Sequence, residues 1–230
     1  MNDFSGFEKK IGINFKDQDL LKEALTHRSY LNENPNWEHP HNERLEFLGD
    51  AVIELIITEE LFKKFPDSPE GDLTSFRAAL VNANMLSEVA ANLGFGDFLL
   101  LSRGESKDKG RARQYILANA FEAVVGAIYL DGGYDTAKKF LNEKLSPELP
   151  KIITGKLYQD PKSLFQERAQ EFSAITPHYE VIKEWGPDHD KHFVVGVFLA
   201  GDKIAEGEGP SKQSGEVEAA RAALAIKNWA

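Results

Sequence analysis

Two apolar helical stretches, each interrupted by acid, constrain this chain more than any other feature. The first, residues 43–57, opens Glu43-Arg44-Leu45-Glu46-Phe47-Leu48-Gly49-Asp50. The second, residues 117–130, has only Asn119 and Glu122 as strongly polar side chains, apart from the Tyr129 hydroxyl. At about 100° per residue, Glu46 and Asp50 share one helix face at i,i+4, and Asn119 and Glu122 share one at i,i+3. A carboxylate in such a setting is costly unless a positive group compensates it. Oxygen donors from two facing helices suit a hard cation such as Mg²⁺. The pattern therefore points to metal-assisted hydrolysis. The competing reading of Glu46 and Asp50 is a solvated helix face.

Composition narrows the remaining classes. The 230 residues suffice for one large domain or two modest ones. The absence of cysteine excludes disulfides, a thiolate nucleophile and a zinc–thiolate site. The first residues lack a basic segment followed by an apolar run, and no apolar run reads as reaching the roughly 18 residues of a membrane span. A cytoplasmic location without a membrane partner is expected. The formal net charge of −10 argues against a general nucleic-acid binder. Residues 160–230 alone hold 8 Lys+Arg against 12 Asp+Glu. Any nucleic-acid contact must rest on local placement of basic residues.

Residues 1–145 read as mostly helical. Asp17-Gln18-Asp19 resembles a helix start before Leu20 and Leu21, Asp72 opens another helix, and a third lies near residues 85–93. The Gly- and charge-rich stretch 103–113 predicts a mobile loop. Prolines and Thr154-Gly155 mark a linker, giving domains 1–148 and 161–230 with 149–160 between them. The second domain reads α-β-β-β-α, with strands near 179–183, 192–199 and 203–207 and a hairpin turn at Gly201-Asp202. The fold class is mainly α, an all-helical domain followed by this small α/β unit.

At this point the residues are recognisable. The segment from His41 to Asp50 resembles the ribonuclease III signature, as do Ala24-Leu25-Thr26-His27-Arg28-Ser29-Tyr30 and Phe121-Glu122-Ala123-Val124-Val125-Gly126. Phe165-Gln166-Glu167, Gly186-Pro187-Asp188-His189 and Ser211-Lys212 resemble a double-stranded-RNA-binding domain. The resemblance covers essentially the whole chain. It implies an endoribonuclease that cuts double-stranded RNA with Mg²⁺ (Mn²⁺ as a possible substitute), leaves 5′-phosphate and 3′-hydroxyl ends, and acts in rRNA and mRNA processing. By the same resemblance, Glu46, Asp50 and Glu122 are catalytic, and with Asn119 they form the metal-ligand set. Glu43 and Glu70 match accessory acidic positions. A two-fold homodimer is implied, with two cleavage sites on one duplex. Phe121, Val124, Val125 and Ile128 look like more apolar surface than one small domain must bury, which fits that implication.

Asn119 departs from the family's usual Asp. It keeps a carbonyl oxygen but carries no charge, which weakens Mg²⁺ binding. The alternative reading is a non-cleaving RNA-binding homologue; a third is a structural homologue bound to a larger particle. His27 reads as structural rather than as a base. Arg44 reads equally as a partner of Glu43 or Glu46 and as a surface charge. Arg111, Arg113, Lys107 and Lys109 either touch RNA or are solvated.

The resemblance places RNA contacts at Gln166 and Glu167 on one helix, at the His189 loop, and at Ser211, Lys212 and Gln213 at the last helix start. There, helix dipole and lysine would meet phosphates. Gln213 and Gly215 stand where Lys and Ala are usual, and both changes weaken phosphate binding. The competing reading is a degenerate domain used for protein contacts.

Overall fold

The computed structural model describes residues 4–156, 158–187 and 190–229, and the chain forms two compact units, 1–158 and 159–230. The first is helical: α1 (Ser5–Ile11), α2 (Gln18–Ala24), α3 (Arg28–Glu33), α4 (Glu43–Lys64), α5 (Glu70–Leu80), α6 (Ala83–Asn92), α7 (Arg111–Lys144) and α8 (Leu149–Thr154). Side-chain caps start several of them. Asp17 accepts from the Asp19 N–H at 2.9 Å, and Asn82 accepts from the Met85 N–H at 3.0 Å. The α5 helix begins two residues before the expected Asp72, because Pro69 supplies its extended N-cap.

The long helices α4 and α7 form the centre. The buried stripe of α4 is Leu45, Gly49, Val52, Ile53, Ile56, Ile57 and Leu61, spaced by three, four or one residues as a core-facing helix requires. The α7 helix is almost wholly buried from Ala118 to Ile128 and breaks at Gly133, whose φ is 77°. By length and composition the segment Arg111–Thr154 would also pass for a membrane span, but 56 % of its apolar window is buried within the unit.

One sequence expectation changes here. Phe121, Val124, Val125 and Ile128 are not surplus surface: all four are buried inside this single chain. Phe121 lies between Phe95 and Phe140, with ring centroids 5.9 and 5.8 Å away. The apolar groups left outside are Phe47 (82 % exposed), Leu55, Phe62, Tyr115 and Leu130.

The stretch expected as a linker begins with α8, whose Leu149 and Ile152 are buried in the helical core, and Tyr158 packs edge-on against Phe76 at 4.6 Å. The 103–113 stretch, expected as a loop, holds one short 3-10 turn and, from Arg111, the start of α7. The beginning of the stretch is tied to α3 through the Arg103 N–H to Glu33 and the Ser102 N–H to Ser29 Oγ (3.1 Å).

The second unit is α9 (Pro161–Ser173), β1 (His178–Trp185), β2 (His192–Leu199), β3 (Asp202–Gly209) and α10 (Lys212–Lys227). The strands form an antiparallel meander in sequence order. Both helices cover one sheet face, around Phe165, Val197, Leu199, Ala219, Ala220 and Ala223. The hairpin turn is Ala200-Gly201, one residue earlier than expected. Both residues take positive φ, and Leu199 pairs with Asp202 across it.

Candidate active site and RNA-facing surface

The α4 and α7 backbones touch where they cross. A Cβ built on Gly49 would lie 1.8 Å from the Glu122 carbonyl oxygen and 3.0 Å from the Gly126 nitrogen. One built on Gly126 would lie 2.3 Å from the Leu45 carbonyl oxygen. Only glycine permits this approach. Glu46 and Asp50 flank Gly49 along α4, while Glu122 and Asn119 lie about one and two turns before Gly126 on α7. The crossing therefore gathers the four polar interruptions of the two apolar helices at one opening.

Their electrostatics reflect that gathering. Burial pushes the Glu122 carboxyl up to about 7, with the negative charges of Asp50 and Glu46 adding to the effect. Glu46 is also raised, first by burial and then by Glu43. The Asn119 side chain, within hydrogen-bonding reach, holds it down, and Asp50 raises it further. A partly buried group of mutually repelling carboxylates is an environment that a divalent cation relieves.

Among the described residues no three His, Cys, Asp or Glu side chains stand close enough to form a ready cage for a metal. The cluster is an open set of oxygen donors on two helices. Its donors fit a hard cation that keeps several positions for water or phosphate oxygens.

The other sequence-predicted acids divide. Glu43 stands at the rim beside Glu46, paired with Arg28 at 3.2 Å and 3.8 Å from His41. Glu70 is not brought to the cluster within the chain. It starts α5, accepts from Thr74 Oγ1 at 3.0 Å, and lines a pocket with Thr58, Leu61 and Phe62. Leu61 lies about 22 Å along α4 from Glu46, at about 1.5 Å per residue.

His27 is a cap: its Nδ1 accepts from the Ser29 N–H at 3.3 Å at the start of α3, and burial lowers its pKa. Arg44 makes no ion pair with Glu43 or Glu46 among the described residues; its charge acts on Glu23. Arg113 donates to the Gly96 carbonyl at 3.2 Å, whereas Lys107, Lys109 and Arg111 are exposed.

Sequence reasoning missed Phe47, which with Leu20, Glu23, Arg44, Leu48 and Leu130 lines a groove beside the acidic rim. Its phase was the available signal: it falls outside the buried stripe of α4.

In the second unit, Gln166 and Glu167 are exposed on α9, along a shallow groove with Ser163, Gln170 and Glu171. Ser211 caps α10 by accepting from the Ser214 N–H at 3.1 Å, while the Ser211 N–H donates to Ser214 Oγ at 3.0 Å. Lys212 and Gln213 are exposed beside that cap, and Lys212 Nζ lies 5.9 Å from the Phe193 ring centroid. His189 lies outside the described residues. Gly215 has a packing reason, because a Cβ there would meet Val195 Cγ2 at 2.7 Å.

An acidic two-helix cleft in one unit and an α-β-β-β-α fold in the other define the class of two-domain RNA endonucleases. Residues 17–149 match the Ribonuclease-III-like family and residues 161–227 match the double-stranded RNA binding motif. The chain belongs to the ribonuclease III family.

Its relatives include Ribonuclease 3 of Nitratiruptor sp., 44 % identical over 226 residues covering 98 % of this chain and 97 % of that protein. Ribonuclease 3 of Sulfurovum sp. is 45 % identical over 225 residues, covering 97 % and 98 %. Among solved structures, a nuclease domain of ribonuclease III from Campylobacter jejuni is similar at 40 % identity and a TM-score of 0.58. It covers 64 % of this chain and 99 % of that one, and was described as having structural flexibility in a region involved in dimer formation. A second crystal structure of that domain matches at 41 % identity and a TM-score of 0.58, covering 65 % and 98 %.

Proposed function

We propose that this chain cleaves double-stranded RNA in a Mg²⁺-dependent reaction at the α4–α7 crossing, with Glu46, Asp50, Asn119 and Glu122 holding the ion. The observation that carries this is the close Gly49–Gly126 crossing, which sets Glu46, Asp50, Asn119 and Glu122 on adjoining turns of an otherwise apolar helix pair, where the acids raise one another's pKa. A bound Mg²⁺ supplies Lewis-acid stabilisation of the charge that develops on the phosphate and the leaving oxygen. The protein's own groups prepare for that. Glu122 and Glu46 present oxygens whose negative charge the apolar surroundings leave uncompensated. Asn119 orients the Glu46 carboxyl and contributes a neutral amide where a fourth carboxylate would add charge. Arg28 pairs with Glu43 at the rim and offers an exposed cation there.

The products are 5′-phosphate and 3′-hydroxyl ends, and Mn²⁺ is an acceptable substitute for Mg²⁺. The second unit grips the duplex through Gln166 and Glu167 on α9, His189, and Ser211, Lys212 and Gln213 at the start of α10. These contacts read shape, sugar and phosphate rather than sequence. The working form is a homodimer that seals Phe47 and Leu130. Two clefts then face one duplex, and Glu70 serves from outside the cluster of its own chain. Cytoplasmic processing of ribosomal and messenger RNA precursors is the role this chemistry serves.

The test is incubation of the full-length protein with labelled duplex and single-stranded RNA of one sequence, followed by analysis of the ends. Selective cutting of the duplex with 5′-phosphate products supports the reading. Cutting of both strands alike, or 2′,3′-cyclic ends, overturns it.

A further inference from the structure

Tyr115 lies on α7, four residues before Asn119 and seven before Glu122. Seven residues turn a helix through about 700°, so Tyr115 and Glu122 share one face to within about 20°. Arg111, one turn nearer the helix start, is exposed on the same side. Along that face the order is cation, phenol, amide and carboxylate, leading into the acidic cluster.

Core packing does not account for the ring. Tyr115 is 49 % exposed while its neighbours Ile116 and Ala118 are buried. Its hydroxyl has no hydrogen-bond partner among the described residues. A side chain on a helix leans toward the helix N-terminus, so the ring reaches away from Glu122 and toward Arg111. Its reach covers what flanks a phosphate held at the cluster, not that phosphate itself. An amphipathic aromatic with a free hydroxyl, set between a cation and a phosphodiester-cleaving site, suits a sugar–phosphate strand. The ring face packs on a ribose while the hydroxyl bonds a backbone oxygen.

We propose that Tyr115 is a positioning residue that grips the ribose–phosphate chain next to the scissile phosphate and sets the register of the duplex in the cleft. The proposal rests on the duplex-cleaving reading above and adds a contact from this chain's own surface.

The test compares the full-length parent with Tyr115→Phe and Tyr115→Ala in steady-state cleavage of a short defined RNA duplex. Losing one hydrogen bond of about 1 kcal/mol predicts a KM about fivefold higher for Tyr115→Phe, with kcat unchanged. Losing the ring as well predicts at least about tenfold for Tyr115→Ala. Single 2′-deoxy or methylphosphonate substitutions in the flanking nucleotides identify the bonded oxygen, as the one whose loss costs the parent but not Tyr115→Phe.

Equal KM values for all three proteins overturn the proposal. So does a substitution series that never separates the parent from Tyr115→Phe. A lower molecular mass of Tyr115→Ala in light scattering also overturns it, because the ring then belongs to a contact between copies. A parent that neither binds nor cuts the duplex overturns the underlying reading and this contact with it. A parent that cuts while both variants match it removes this contact alone.

Discussion

Gly49 and Gly126 stand against each other at the α4–α7 crossing, each so close to the opposite backbone that a Cβ would collide with a carbonyl oxygen. This contact sets the depth of the acidic cluster. Glu122, whose carbonyl oxygen touches Gly49, cannot move without Gly126, one turn along. Gly49→Ala and Gly126→Ala should each destabilise the protein by roughly 1–3 kcal/mol, by overpacking a site that cannot relax sideways. Denaturant unfolding checks the stability. Cleavage should fall more than the stability loss explains, because the carboxylates on the two helices separate.

Asn119→Asp should lower the Mg²⁺ concentration for half-maximal cleavage by roughly tenfold, since ligand charge tunes affinity for a hard cation. The same change should lower the melting temperature in chelator, where a fourth carboxylate has no cation to offset it. A calorimetric Mg²⁺ titration and a melt in EDTA measure the two effects. Unchanged affinity would mean that Asn119 lies outside the ion's reach.

The Glu122 carboxyl predicts a pH dependence of the metal-free protein. Its folded-state pKa, about 7, lies above the ordinary value of 4.5, so the folded state binds the extra proton. Stability should therefore fall as pH rises from about 4.5 through 7. Glu122→Gln removes that loss. In EDTA it should stabilise the protein at pH 8 by roughly 1–2 kcal/mol, after allowance for partial solvent screening, and have little effect at pH 4.5. Melting curves at the two pH values decide it, and an equal shift at both would contradict the assignment.

Much of this architecture was legible in the sequence, and the missing parts have physical reasons. The acid spacing on two apolar helices and the Asp17 cap are local patterns, and local patterns survive in sequence. The facing of Gly49 and Gly126 is a tertiary fact, invisible in either segment alone. Phe121 looked like surplus surface because a run of apolar residues does not reveal how many neighbouring helices surround it; α4, α6 and the Phe95 turn do so here. Phe47, on the same kind of helix, is left outside, as are Leu55 and Phe62. The hairpin turn moved by one residue because Ala200, not Asp202, takes the left-handed position beside Gly201, and a register shift follows Val197 in β2. Glu70 entered as an accessory position through the resemblance alone, because no local pattern ties it to Glu46; within the chain it lies beside Leu61, far along α4.

Phe47 and Leu130 predict the state of assembly. Burying a phenylalanine contributes about 2 kcal/mol per copy, so Phe47→Asp should convert a dimer to monomer at micromolar protein. Light scattering reads the mass directly. A parent already monomeric would contradict the homodimer, and a dimeric variant with unchanged mass would place the interface elsewhere.

The most direct measurement is cleavage of a long labelled RNA duplex by the full-length protein across a Mg²⁺ titration, with Glu122→Gln in parallel. The account predicts Mg²⁺-dependent shortening by the parent and none by the variant, with both proteins still retaining the duplex. Retention of the duplex without cleavage by the parent at every Mg²⁺ concentration would contradict it, and would identify Asn119 as the residue to restore first.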